Sequence, residues 1–118
     1  MTISEYIEQF RLQYPQIRPF EEEDDVEWWN QGLDQIAAGK FDQAEETFKR
    51  LVLAQPESSD GFNGLGLVYE KKNDPVKAEL FHREAISKAE CMVHDGSMDI
   101  EMLNMIQSDL NRVLKKGK

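Results

Sequence analysis

Apolar residues recur along this chain at steps of three and four, the spacing that lines one face of an α-helix. Ile3, Ile7, Phe10 and Tyr14 form the first such stripe. Thr2 with Glu5 three residues later is a capping-box signal at its start, and Pro15 marks its end, so a helix is predicted over 1–14. Residues 15–24 hold two prolines and most of an acidic run, Glu21 to Asp25, and read as a connector. Acidic side chains favour a helix N-terminus electrostatically, which places the next helix start near Asp25. Periodic segments then follow, punctuated by Gly39, by Pro56 with Ser58 and Ser59, by Asn73-Asp74-Pro75 and by His94-Asp95-Gly96. Gly39 and Asn73 sit where a helix can end in a left-handed residue, and Asp74-Pro75 is a cap followed by proline at the first helical position. A last helix is predicted within 97–116, with Leu103, Ile106, Leu110, Val113 and Leu114 on one face. Lys115, Lys116 and Lys118 suit its negative end.

The middle of the chain repeats. At an offset of 34 residues Trp28 falls on Phe62, Gly32 on Gly66, Gln35 on Tyr69, Gly39 on Asn73 and Ala44 on Ala78. Small residues at 32, 44, 66 and 78 suit two antiparallel helices that approach closely, with large neighbours filling the space. Trp28, Gly32, Gly39, Phe41, Ala44, Phe48 and Pro56 in one unit, and Phe62, Leu65, Gly66, Tyr69, Asn73, Ala78 and Ala85 in the next, resemble the tetratricopeptide repeat family. The resemblance covers roughly residues 25 to 92. It implies an all-α fold of antiparallel helix pairs in a superhelix. The units are 25–58 and 59–92, about six helices in one domain when the helices at 1–14 and 97–116 are added as caps. Gln31 and Gln35 in the first unit, and His82 and Glu90 in the second, depart from the family pattern.

In that family the first helix of each repeat lines a concave groove. Carried over by register, this implies a partner-binding groove of Trp29, Asn30, Leu33, Ile36 and Ala37 from the first unit and Asn63, Leu67, Glu70 and Lys71 from the second. Successive residues on a helix point about 100° apart, so Trp28 and Trp29 cannot share a face. Trp28 is assigned to the core; Trp29 either contacts a ligand or receives the N-terminal helix through Ile7 or Phe10. Some relatives clamp the C-terminal carboxylate of chaperones with Lys, Asn and Arg side chains. Trp29, Leu33 and Gly64 occupy three of those places here, which disfavours that ligand and leaves a more apolar groove. Its expected guest is a protein or peptide segment with apolar anchors and basic residues that pair with Glu21 to Asp25. A homodimer through the last helix, whose Met98, Met102 and Met105 make an adaptable surface, is the alternative.

Composition narrows the partners further. The 118 residues are 40% apolar, enough for one real core, and carry a formal charge of −9. That charge argues against nucleic acid, which needs a basic footprint. The longest purely aliphatic run is Leu51 to Ala54, so no membrane span is expected, and Glu5 and Glu8 spoil a secretory leader. One cysteine, Cys91, fits a reducing compartment, and a cytoplasmic location is expected. His82, Cys91, His94 and Asp95 are the only cluster with ligand-type side chains, but they lack the paired spacing of zinc sites. His82 is expected in the core, with Cys91 acting as a small apolar residue. Gly64 and Gly66 lack the Lys-Ser/Thr continuation of a phosphate loop. No cofactor and no enzymatic activity are expected, a metal or thiol enzyme being the least favoured reading.

Overall fold

Local signals set most of the helix ends in the computed structural model, which describes residues 1–19 and 25–116. Six α-helices are seen among the described residues: α1 (Ile3–Gln13), α2 (Asp25–Ala37), α3 (Phe41–Ala54), α4 (Asp60–Lys71), α5 (Pro75–His94) and α6 (Ile100–Lys116). The fold is all-α. The Thr2–Glu5 capping box is formed in both directions, at 3.0 and 3.2 Å. Asp74 accepts a hydrogen bond from the Lys77 N–H, with Pro75 opening α5.

Three helix exits share one device. Gly39, Asn73 and Gly96 have φ of 77°, 59° and 86°, and in each case the next residue's N–H reaches back to a carbonyl five residues earlier. This paired closure satisfies carbonyls that a helix end leaves open and requires a left-handed residue. Gly96 therefore ends α5, and Asp95 accepts from both the N–H and the hydroxyl of Ser97. The turn thus uses residues 95–99, and α6 starts at Ile100, three residues later than the expected 97.

Short connections fold α2 back on α3 and α4 back on α5, and α3 and α4 pack together in turn. Gly64 faces Phe48 while Gly61 faces Val52, so the chain runs in opposite directions along the α3–α4 seam. Helix α2 also touches α4, and α6 closes the far side against α5 and α4. On α6, Leu103, Ile106, Leu110 and Val113 are buried as its stripe requires.

Helix α1 lies across α3 and α5. Its one fully buried residue, Phe10, stacks on Phe81 at 6.3 Å, and Tyr6 meets the same ring at 5.3 Å. Lys49 sits 5.2 Å from the centre of the Phe10 ring, and Lys77 sits between the rings of Tyr6 and Tyr69, at 5.8 and 5.2 Å. Aromatic and cation–π contacts of this kind add to simple area burial. The N-terminal helix is therefore seated on the second helices of the two pairs.

Candidate functional site

Glycine makes the joints around which the site is built. A Cβ on Gly32 or on Gly64 would fall closer than 3.0 Å to the Phe48 ring, so this fully buried ring is wedged between α2 and α4 where both lack a side chain. Thirty-four residues on, Gly66 makes the same room for His82, whose Cε1 and Nδ1 would lie 2.5 Å from an added Cβ. Ala44 and Ala78 are both fully buried, but the groups facing the two register glycines are Phe48 and His82.

What surrounds each ring differs. Trp29 lies against Phe48 with ring centroids 5.7 Å apart and a 57° tilt, and Ile36 packs on the same core. The positions equivalent to Trp29 and Ile36 are Asn63 and Glu70. His82 is completely buried, with Nδ1 2.9 Å from Asn63 Oδ1 and Nε2 3.1 Å from Glu70 Oε2. The Arg112 guanidinium on α6 grips Glu70 with both prongs, Nε at 2.8 Å and Nη2 at 2.9 Å, and also donates to Asp109. Burial alone would raise the Glu70 carboxyl, but the hydrogen bonds and charges of His82 and Arg112 outweigh it and bring it down to about 2.

The nine expected groove residues are thereby distributed over different settings, with Ala37 exposed at the end of α2. Leu67, Glu70 and Lys71 meet Arg112 around a cavity of about 170 Å³ between α4 and α6. A neighbouring cavity of about 140 Å³ is lined by Glu70, Asn73, Pro75 and Val113. Leu33 and Ile36 are half-buried on α2. Asn30 opens instead onto a polar cleft between α2 and α3, beside Gln31, Asp34 and Gln43. Trp29 is half-buried against Phe48, and Asn63 is buried against His82 and does not stand free for a ligand. Trp28 is half-buried like Trp29, so the two do not divide into core and surface. The acidic residues 21–24 lie outside the described residues.

Among the described residues no group of three or more His, Cys, Asp or Glu is placed to hold a metal ion. His82 turns inward to α4, while Cys91 is exposed on α5 and does not serve as a small core residue. No helix among the described residues is long and apolar enough to cross a membrane.

Arg112 is the site residue that sequence reasoning missed. It lies 42 positions from Glu70, and no local pattern links them. The polar joint itself left a trace in the 34-residue alignment, where Trp29, Ile36 and Phe48 change together to Asn63, Glu70 and His82. Compared with known proteins, the chain matches no family model, no curated protein and no solved structure.

Proposed function

We propose that the chain is a tetratricopeptide-like scaffold that holds a protein or peptide segment along the side formed by α2, α4 and α6. The observation that carries this reading is the recurrence, at 34 residues, of a glycine on the first helix of a pair facing a ring on the second. A repeat kept in packing as well as in spacing belongs to a stacked scaffold, whose business is a binding surface. Half-exposed Leu33 and Leu67 supply apolar anchor points, and the cavity beside Lys71 and Arg112 offers a place for a side chain to enter. The partner is a segment with apolar anchors, carrying basic residues for the acidic run Glu21 to Asp25. The role is non-enzymatic and the setting cytoplasmic.

Capture from a lysate of the source cell tests this, with the immobilised parent beside a folded Leu33→Ala, Leu67→Ala variant. A protein kept by the parent and lost by the variant supports the groove, and equal retention by both overturns it. One observation favours a second reading, self-association through α6: Ile100, Met102 and Met105 are 54%, 43% and 61% exposed on that helix. A solution mass that stays at the 13.7 kDa of one chain across concentrations dismisses it.

A further inference from the structure

Consecutive helices pack together throughout the chain except at its start: α2 meets α3, α3 meets α4, α4 meets α5 and α5 meets α6, while α1 touches α3 and α5 and, among the described residues, nothing of α2. Its seat is also light. Phe10 alone of its 11 residues is fully buried, whereas α6 at the other end buries Leu103, Ile106, Leu110 and Val113. Helix α1 therefore docks as a ligand does, through one face and onto residues remote in sequence. We propose that the face formed by α3 and α5 is a helix-receiving surface, which α1 occupies in the single chain and which accepts, by reciprocal exchange, the α1 of a second copy.

The contact carries its own recognition code. Ile3, Tyr6, Ile7 and Phe10 follow the spacing by which an amphipathic helix fills an apolar groove, and all four pack on the core. Three rings at steps of four are each met by a cation of the receiving face: Lys77 lies 5.8 Å from the Tyr6 ring, Lys49 5.2 Å from Phe10 and Arg50 5.4 Å from Tyr14. Lys49 also donates to Gln13 Oε1 at 3.4 Å. Tyr6 and Phe10 close over Phe81, which Tyr69 backs at 5.4 Å. An emptied face would uncover Phe81 and leave three cations without their rings. A second copy supplies the same helix, so exchange restores every one of these contacts.

The chain is long enough for it. Residues 14–24 separate α1 from α2 and reach up to about 40 Å when drawn out, against 39 Å for the longest dimension of the molecule. Because the contacts are the same within one chain and between two, concentration sets the balance. A helix on a short tether competes at an effective concentration in roughly the millimolar range, so the two-chain form gains ground as the protein approaches that range. Exchange leaves the side formed by α2, α4 and α6 and the exposed methionines of α6 unused, and does not depend on what they hold.

The test follows the mass of the intact chain by sedimentation from about 10 μM to about 1 mM, together with uptake of a labelled peptide of residues 1–19. The mass should rise from 13.7 kDa toward twice that value in the parent and in Met105→Asp, and should stay near one chain in a folded Phe10→Ala variant. The Phe10→Ala chain, its own α1 loosened, should bind the parent peptide at least about ten-fold more tightly than the parent chain does. Adding Lys77→Glu to that variant should weaken uptake roughly three-fold through the lost cation, while glutamate is well placed in the first turn of α5. Where Phe10→Ala does not fold, Tyr6→Ala at the half-buried neighbouring ring takes its place. A parent that remains one chain up to 1 mM overturns the exchange. A two-chain form abolished by Met105→Asp and kept by Phe10→Ala assigns it to α6 instead, and a peptide bound equally well after its own Phe10→Ala change overturns the receiving face.

Discussion

The two helix pairs solve one packing problem with opposite chemistry. In the first, the ring opposite the glycine is Phe48, and its neighbours Trp29 and Ile36 complete an apolar joint. In the second, His82 occupies the equivalent place among Asn63, Glu70 and, through Glu70, Arg112. Shape is conserved between them, because both rings are flat and both enter a slot left by glycine. Energetics are not. The apolar joint is non-directional and tolerates small shifts, whereas the polar one needs every partner in place, since a buried polar group left unpaired costs about 1–3 kcal/mol. The polar version also reaches further: Glu70 links α4 to α5 and α6 at once, so the terminal helix is tied in by direction as well as by area.

The largest effect expected is at the apolar joint. Phe48→Ala should lose about 3–5 kcal/mol of unfolding free energy in urea, because the ring is fully enclosed and glycines on two helices leave nothing to refill the space. Next come the tryptophans. Trp28→Ala and Trp29→Ala should each cost roughly 2–3 kcal/mol, since both are half-buried on the core. A stable Trp29→Ala that alters binding alone would separate Trp29 from the Phe48 joint.

Gly64→Ala inserts a methyl group into a ring that cannot retreat, at a cost of about 1–3 kcal/mol in the same assay. Gly39 has open space where a Cβ would go, and its substitution acts only through its left-handed backbone.

Acid probes the polar joint. Glu70 titrates at about 2 in the folded chain against an ordinary 4.5, so its contribution is complete above about pH 4.5 and disappears as pH falls toward 2. After solvent screening around half-exposed Arg112, that contribution is on the order of 1–2 kcal/mol. Stability curves of the parent and Glu70→Gln should therefore converge at low pH, and parallel curves would remove Glu70 from the account. The smallest effect is at the exposed pair Glu8–Arg11, where Glu8→Gln should change stability by less than about 0.5 kcal/mol.

Much of this was legible in the residues. The helical periodicity, the cap at Thr2, the exits at Gly39, Asn73 and Gly96 and the 34-residue repeat depend on interactions within one turn or on a pattern the chain states twice. What faced each register glycine was less legible, because close helix contact can be met by a small residue or by a flat ring, and spacing does not distinguish them.

Helicity, the approximate end of each helix and the matching positions of the two pairs can all be read from the residues. Helicity and helix ends follow from backbone hydrogen bonds and side chains no more than about five residues apart, and the correspondence from a pattern repeated at 34 residues. Packing settles the rest: α1 lies on α3 and α5, Trp29 lies against Phe48, and Asn63 and Glu70 turn to His82 while Arg112 closes on Glu70 from 42 residues away. These contacts join distant segments, and their geometry is set by which faces remain uncovered once the pairs have packed. A buried imidazole then takes the oxygens that this packing leaves within its reach.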